Sequence, residues 1–390
     1  MSALIRSRTR ALGGAVGVER QTAEGQHAIA ASARPRSALV DVGKGLGILL
    51  VVFGHNAWVA DHLLWLDEVI STFRLPLFFF LAGVTFPAGR SVADTARRRA
   101  DALLKPFAVV VLAYAITHAA RADVTLESTA LSLFYATGFT LVWVPMWFLP
   151  HLWLVSVAAA AYLQWLAPRL TTVRSRVMAL AAMAWAGAYV IHLFHNPVDD
   201  TACMHHTRFS ADLFACGLPF SADVLLLSGF FFLTGQHLKR RVLALQPHPL
   251  WIAVAAAIFA ALWFGFHQTI NFNFRSYGHA LIVPLQALAA IYLALTLCHT
   301  LGRWQTLTRV LSYVGRGSLF ILVFHSPLQA KALAWLARWP GPGVVSMLLS
   351  FVAAVGLSLL LWEGVRRQPA LSWLLLPRSG TPSRQVDVTV

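Results

Sequence analysis

Three ionisable residues lie in one apolar stretch near the start of the chain, DVGKGLGILLVVFGHNAW at residues 41–58: Asp41, Lys44 and His55. A charged side chain in the middle of a membrane helix costs roughly 2.5 kcal/mol or more, so such residues usually face a cavity and serve a function. On a helix Lys44 and His55 nearly eclipse each other, about 16 Å apart, and Asp41 lies close to the same stripe. A histidine placed in this way can act as a general base that accepts the proton of an attacking hydroxyl group.

The same stretch has an alternative interpretation as a packing helix. Its glycines leave a thin helix whose backbone other helices can approach closely. Lys44 would then extend toward the membrane surface, and His55 would be a hydrogen-bonded structural residue. The glycines do not form a phosphate-binding loop, because no Gly-Lys pair is followed by Ser or Thr.

The elements that must position these residues are membrane helices. The chain has 390 residues, of which 58% are hydrophobic and 12% charged, and this charged share is about half that of a soluble protein. Apolar runs of about 17–25 residues, long enough to cross a bilayer, predict an all-α polytopic membrane protein with about ten transmembrane helices. The predicted spans are 39–59, 68–87, 103–120, 147–166, 177–195, 219–237, 249–266, 280–299, 313–329 and 343–363. The apolar segment 128–146 is predicted to lie on the membrane surface or to re-enter the membrane.

The distribution of positive charge predicts the orientation. The formal net charge is +15, and Lys and Arg concentrate in alternate loops and in both tails, so both termini are predicted to be cytoplasmic. Nucleic-acid binding is excluded as an interpretation, because no compact basic domain is present. The predicted organisation is a disordered basic cytoplasmic tail at 1–37, a membrane domain at 38–363 and a cytoplasmic tail at 364–390.

One predicted outside loop contains both cysteines that could pair. Cys203 and Cys216 can form a disulfide in an oxidising compartment, although two cysteines in one loop also fit two free thiols. The stretch 192–206 is rich in His and Asp, but its spacing fits no standard zinc pattern, so no metal site is predicted.

A series of motifs along the chain resembles the membrane acyltransferase-3 family. The motifs are Lys44 to His55 with ten residues between them, FRLPLFFFLAGVTFP (73–87), RRRADALLKPF (97–107), MWFLPHLW (146–153) and VGRGSLFILVFHSPL (314–328). Two further stretches, LPFSADVLLLSGFFFLTG (218–235) and NFNFRSYG (271–278), are similar to its fucose 4-O-acetylase-like branch. The chain departs from the family where Arg74 replaces a common His and Ala82 a common Ser.

The resemblance implies a membrane O-acyltransferase in the bacterial inner (plasma) membrane. It would transfer an acetyl group from cytoplasmic acetyl-CoA to a sugar hydroxyl of an exopolysaccharide or surface glycan, or of its lipid-linked precursor; xanthan-type sugar acetyltransferases are plausible relatives. Its partners would be acyl-CoA, the sugar acceptor and membrane lipid. The alternatives are a proton-coupled transporter or flippase of glycan precursors and a scaffold subunit with polar residues between its helices.

The resemblance also implies roles for individual residues. His55 would be the catalytic base, with Asp41 and Lys44 as partners on its helix. Arginine forks suit the phosphates of CoA, although basic residues here also fit the ordinary positive-inside role. The predicted donor-binding residues are Arg97, Arg98, Arg99 and Lys105. The predicted acceptor-binding residues are Arg74, Trp147, Asp223, Asn271, Arg275, Tyr277 and His325. Trp147 also fits an interfacial anchor, and His325 a satisfied structural histidine.

Overall fold

The chain folds almost entirely into helices. The computed structural model describes residues 38–194, 203, 206–338 and 343–378, and the predicted tail 1–37 lies outside these residues. The first α-helices are α1 (Ala38–Gly54), α2 (Ala57–His62), α3 (Leu64–Val84), α4 (Val92–Arg99), α5 (Lys105–Thr117), α6 (Leu126–Phe134), α7 (Phe148–Ala161) and α8 (Val173–His192). They are followed by α9 (Asp212–Ala215), α10 (Leu225–Leu243), α11 (Pro249–Phe266), α12 (Ile282–Leu301), α13 (Gln305–Arg316), α14 (Ser318–Leu336), α15 (Val344–Arg367) and α16 (Pro369–Leu375).

Short irregular elements connect or extend several of these helices. A π-helical turn, Ala100–Leu104, joins α4 to α5, and a second, Tyr162–Leu166, extends α7. The 3-10 turns Val144–Trp147 and Pro219–Val224 lead into α7 and α10. Within the described ranges the one sheet is a hairpin of β1 (Ile270–Asn271) and β2 (Ser276–Tyr277).

Seven helical segments of the described chain are long and apolar enough to cross a membrane. They are Val92–Thr117, Val144–Arg169, Asp212–Leu243, Pro249–Phe266, Ile282–Leu301, Ser318–Leu336 and Val344–Arg367. The prediction of an all-α polytopic membrane protein is confirmed. The other three predicted spans fall on α1, α3 and α8: α1 is apolar but has only 17 residues, whereas charged residues make α3 and α8 less apolar.

Helix α1 packs against α13 at two glycines. A Cβ atom at Gly45 would collide with the carbonyl oxygen of Leu311, and one at Gly315 would collide with the carbonyl oxygen of Asp41. The two backbones therefore touch where any side chain would hold them apart. This contact fixes the start of α1, which carries Asp41 and Lys44.

Helices α3 and α10 approach each other in the same way. A Cβ atom at Gly83 would overlap the backbone at Phe232, and one at Gly235 would overlap the backbone at Phe80. Phe79, Phe231 and Phe232 are fully buried beside this contact and belong to the main apolar core. The core therefore forms around α3 and α10, and α3 positions Arg74.

One span begins and ends later than predicted, and the helix in the predicted surface segment is too short to cross a membrane. Gly317 separates the amphipathic helix α13 from α14, so the span predicted at 313–329 runs instead over Ser318–Leu336. In the predicted surface segment 128–146, helix α6 has nine residues. Such a helix is about 14 Å long and cannot cross a hydrocarbon core of about 30 Å.

The beginning of the predicted C-terminal tail is packed against the membrane domain. Helix α15 continues to Arg367, and α16 follows it. The carbonyl oxygen of Leu376 accepts a 2.6 Å hydrogen bond from Lys105 Nζ, and the backbone N–H of Arg378 donates to Asp101 Oδ2 at 2.6 Å. Residues 364–378 therefore belong to the ordered structure, and 379–390 lie outside the described residues.

Candidate active site

His55 lies in the turn directly after α1, where its side chain is exposed. Its Nδ1 atom is 2.9 Å from the carbonyl oxygen of Val51. A carbonyl group can only accept a hydrogen bond, so Nδ1 carries the proton and Nε2 of the neutral ring keeps its lone pair. The backbone of α1 thus holds His55 as a base whose free nitrogen is accessible.

A second histidine lies against the first. The His55 ring meets the ring of His325, on α14, edge to face with centroids 5.1 Å apart. His325 Nδ1 lies 2.7 Å from the carbonyl oxygen of Ile321 and 3.0 Å from that of Leu322, which selects the same tautomer. His325 is a predicted acceptor-binding residue on a different helix from His55. The fold brings the rings of the two histidines together.

His325 and Gln329, one turn later on α14, present unsatisfied polar atoms. His325 Nε2 and both amide atoms of Gln329 are buried and have no hydrogen-bond partner among the described residues. An unsatisfied buried polar group costs about 1–3 kcal/mol, so a group left in this state is a candidate to bind a ligand or water. Gln329 follows His325 by one helical turn, a spacing that could have revealed it in the sequence.

An ion pair on α3 lies beside the same turn. Arg74 Nη1 is 2.5 Å from Asp67 Oδ1, and both side chains are largely buried. A Cβ atom at Gly54 would collide with both groups, so the guanidinium packs directly against the backbone preceding His55. This position can supply positive charge to an oxygen that becomes negative during a reaction. Sequence reasoning identified Arg74 but missed Asp67, seven residues earlier on the same helix.

Asn56 fixes the turn that carries His55. Its Oδ1 accepts from the backbone N–H of Trp58 at 3.1 Å and caps α2. Its Nδ2 donates to Ser350 Oγ on α15 at 3.1 Å. The His55 ring is therefore bonded to α1 at the Val51 carbonyl oxygen, and the adjacent Asn56 is bonded to α15 at Ser350. Sequence analysis missed Asn56, although an Asn before a short helix is a frequent N-cap.

Asp41 and Lys44 lie at the other end of α1. Both side chains are half-buried in the first turns of the helix, and the helical rise separates Lys44 from His55 by about 16 Å. The structure places Asp41 and Lys44 on α1 and His55 in the turn that follows it, and it does not bring Asp41 or Lys44 into contact with His55. Any shared role must therefore operate along the length of a bound molecule.

The predicted donor-binding residues have different surroundings. Arg98 Nε donates to Asp94 at 2.8 Å, and Lys105 Nζ pairs with Asp101 at 2.8 Å. The Arg99 guanidinium lies over the ring of Phe86, 5.6 Å from its centroid. Arg97 is exposed and makes no ion pair in the described part of the chain. Arg97 and Arg99 are thus the two whose charge is not neutralised by a carboxylate.

Asp223, in the 3-10 turn before α10, and Arg275, in the β1–β2 hairpin, form a buried bidentate ion pair. We call these two segments and the residues that contact them the cap. Arg275 Nε and Nη2 donate to the two Asp223 oxygens at 2.9 and 3.2 Å, and each residue is 1% exposed. Asp223 Oδ1 also accepts from the backbone N–H of Leu218 at 2.7 Å. The pair is engaged internally, so in this geometry it joins the 3-10 turn before α10 to the β1–β2 hairpin.

Other contacts complete this cap. Gly217 has φ +131°, and a Cβ atom there would collide with the Arg275 guanidinium, so only glycine fits. Tyr135 donates its hydroxyl to the carbonyl oxygen of Gly217 at 2.5 Å. Cys203 and Cys216 form a disulfide, which answers the question that the sequence left open.

The remaining predicted acceptor residues lie around the cap and the core. Trp147 is 4% exposed, and its ring centroid is 5.4 Å from that of the buried His151, so its ring packs in the core and is not an exposed aromatic anchor. Asn271 Oδ1 accepts from Phe274 N–H at 3.1 Å and closes the hairpin turn. The Tyr277 hydroxyl is buried without a partner among the described residues. Burial raises the Tyr277 pKa, so the group stays a neutral donor.

No cluster of three or more His, Cys, Asp or Glu among the described residues could hold a metal ion. Most of the His-rich stretch 195–205 lies outside those residues.

The fold and the site define a polytopic membrane protein in which an accessible histidine base lies beside a second imidazole and an ion pair. This arrangement suits proton transfer from a hydroxyl group. The acyltransferase-3 family, described as an acyltransferase domain, matches residues 38–363. The chain therefore belongs to this family and is an acyltransferase. The match confirms the family that the sequence motifs resemble. No curated protein matches the chain.

Proposed function

We propose that the protein transfers an acetyl group from acetyl-CoA to a sugar hydroxyl of an exopolysaccharide or surface glycan, or of its lipid-linked precursor. The observation that carries this proposal is the state of His55. Its Nδ1–H is engaged by the Val51 carbonyl oxygen, while its ring remains exposed. Nε2 is therefore free to receive a proton, which is the task that acyl transfer to an alcohol requires.

The proposed reaction is one acyl transfer. The acceptor hydroxyl oxygen attacks the thioester carbonyl carbon while its proton passes to His55 Nε2. The carbonyl oxygen becomes negative in the tetrahedral intermediate, and the Arg74 guanidinium is placed to stabilise it. The C–S bond then breaks, and the CoA sulfur leaves with the proton held by His55. A positioned base contributes typically about 10²–10⁴-fold to such a step.

The donor would reach this base from the Lys44 end of α1. Lys44 lies about 16 Å along the helix from His55, so the CoA arm must extend along α1. Arg97 and Arg99, which no carboxylate neutralises in the described structure, are the preferred phosphate-binding groups. Arg98 and Lys105, already paired with Asp94 and Asp101, would support the surrounding structure. Asp41, beside Gly315, would help to fix Lys44.

The acceptor would bind at the opposite end. His325 Nε2 and Gln329 supply unsatisfied polar atoms there, and Asp223 and Arg275 would act indirectly by holding the cap in place. The Cys203–Cys216 disulfide supports an oxidising compartment on this side. Motifs such as NFNFRSYG (271–278) favour an acceptor like that of the fucose 4-O-acetylase-like branch and a bacterial inner-membrane location.

The experiment uses membranes from cells with and without the full chain. They are incubated with acetyl-CoA labelled in its acetyl group, and both released CoA thiol and label in extracted glycan are measured. The proposal predicts that thiol release and glycan labelling rise together when the chain is present. Glycan precursor crossing the membrane without thiol release would contradict it and would support transport.

A further inference from the structure

A long groove runs along one face of α8. It has a volume of 1120 Å³ and lies between α8, α10 and the first turns of α12. The α8 residues that line it recur every three or four positions from Val173 to His192. One complete face of this 20-residue helix, about 30 Å long, therefore faces the groove, and this length matches the hydrocarbon thickness of a bilayer.

The walls and floor of the groove are apolar. Trp185 and Tyr189 on α8 and Leu285 on α12 are exposed along its walls. Phe230 forms part of the floor, and its carbonyl oxygen accepts the Thr234 hydroxyl at 2.7 Å. The floor thus presents no unmet hydrogen bond, and its surface suits hydrocarbon chains.

One end of the groove carries two arginines. Arg176 on α8 and Arg241 on α10 are both exposed there, together with the partly buried His237. Arg176 Nε donates to the Leu170 carbonyl oxygen at 2.8 Å, which leaves its terminal nitrogens available. Within the described ranges neither arginine forms an ion pair with a carboxylate. Both arginines therefore line the same end of an apolar groove.

We propose that this groove is a binding site for an anionic phospholipid. The acyl chains lie along α8, and the headgroup phosphate binds between Arg176 and Arg241. Arginine is suited to phosphate because its planar fork donates two parallel hydrogen bonds. An apolar helix bound in the groove would leave the charges of Arg176 and Arg241 unneutralised. An anionic lipid matches both the apolar walls and the two arginines. This site is independent of the acyl-transfer proposal.

The test measures lipid binding to the purified full chain by native mass spectrometry. The double variant Arg176→Gln/Arg241→Gln is compared with Arg174→Gln/Arg240→Gln, which removes the same charge from neighbouring residues that do not line the groove. Each arginine near a membrane surface contributes about fivefold to anionic lipid binding. We expect phosphatidylglycerol affinity to fall about 25-fold in the groove variant and to change little in the control. Equal losses in the two variants would overturn the proposal.

Two further measurements separate a lipid site from general lipid contact. Phosphatidylethanolamine should be retained much less than phosphatidylglycerol by the wild type; equal retention would mean ordinary annular lipid and would contradict the proposal. Ala181→Trp fills the groove but keeps both arginines, and it should also release phosphatidylglycerol. If it does not, the acyl chains do not occupy the groove. Displacement of phosphatidylglycerol by low concentrations of polyprenyl phosphate would instead assign the groove to a lipid-linked substrate.

Discussion

At the scale of single residues, the proposed proton transfer depends on which nitrogen of each histidine is free. Backbone carbonyl oxygens one helical turn earlier engage Nδ1 of both His55 and His325. The two Nε2 atoms are therefore left as acceptors. The spacing of Lys44 and His55 predicts His55 as the base from the sequence, and this role stays a prediction. The tautomer could not be predicted, because it depends on the side-chain rotamer and on where α1 ends.

His325→Leu tests the role of the second imidazole. The substitution replaces an unpaired buried nitrogen with apolar atoms of similar size, so we expect an unchanged or slightly higher melting temperature. If Nε2 binds the acceptor, kcat/KM for the acceptor should fall about tenfold or more. The measurement is steady-state kinetics with the acceptor varied at saturating acetyl-CoA. Full activity in this variant would show that His325 is only structural.

At the scale of elements, glycine contacts position the helices that carry the site. Gly45 and Gly315 bring α1 against α13, and Gly83 and Gly235 bring α3 against α10. The glycines of α1 predicted such close approach, and the structure identifies the partner helix. That partner could not be predicted because α13 is amphipathic and was assigned in part to a membrane span.

Gly45→Ala should disturb this arrangement. Its Cβ atom would collide with the backbone of Leu311, which cannot move as a side chain can. We expect a loss of about 1–3 kcal/mol in unfolding free energy, measured as a lower melting temperature in detergent. Gly356→Ala on α15 is the matched control, because nothing lies within 4 Å of its added Cβ atom. A Gly45→Ala protein as stable as that control would contradict the close contact.

The pairing of Asp223 with Arg275 in the cap could not be predicted from the sequence. Asp223 and Arg275 are 52 residues apart in the chain, and a pair so distant is defined only by tertiary structure. Both residues were identified from motifs that resemble the family, with a predicted role in binding the acceptor. In the fold each satisfies the charge of the other, so their main effect is to hold the 3-10 turn before α10 against the β1–β2 hairpin.

Arg275→Met should be strongly destabilising, because it leaves Asp223 as a buried, uncompensated charge, at a cost of about 3–5 kcal/mol. Asp223→Asn added to Arg275→Met removes that charge and keeps an acceptor for the Leu218 N–H. We expect the double variant to be the more stable of the two in thermal unfolding, with an acceptor KM close to that of the wild type. A large KM increase in a well-folded double variant would indicate direct acceptor binding by this pair.

At the scale of the whole molecule, the long apolar helices define a polytopic membrane protein. Hydropathy predicted the membrane class because long apolar helices are a strong signal. It was weakest for α3 and α8, where charged residues interrupt the apolar pattern, whereas α1 is apolar but only 17 residues long. Charged residues in a span therefore lower the signal by which that span is recognised.

Reporter fusions test the predicted orientation. Alkaline phosphatase is active only where its disulfides can form. A fusion after Arg90, in the loop between α3 and α4, should be inactive, and one after Ala122, between α5 and α6, should be active, as the distribution of basic residues predicts. The reverse pattern would place the Cys203–Cys216 disulfide in the cytoplasm and contradict the proposed directions of donor and acceptor entry.

The most direct test of the proposal that His55 is the base measures acetyl transfer by the purified His55→Ala protein. His62→Ala is the matched control, because His62 is also exposed and its Nδ1 also lies 3.0 Å from a backbone carbonyl oxygen, that of Trp58. We expect His55→Ala to lower the transfer rate about 10²–10⁴-fold at an unchanged melting temperature, while His62→Ala keeps the wild-type rate. Wild-type transfer by a folded His55→Ala protein would show that His55 is not the base.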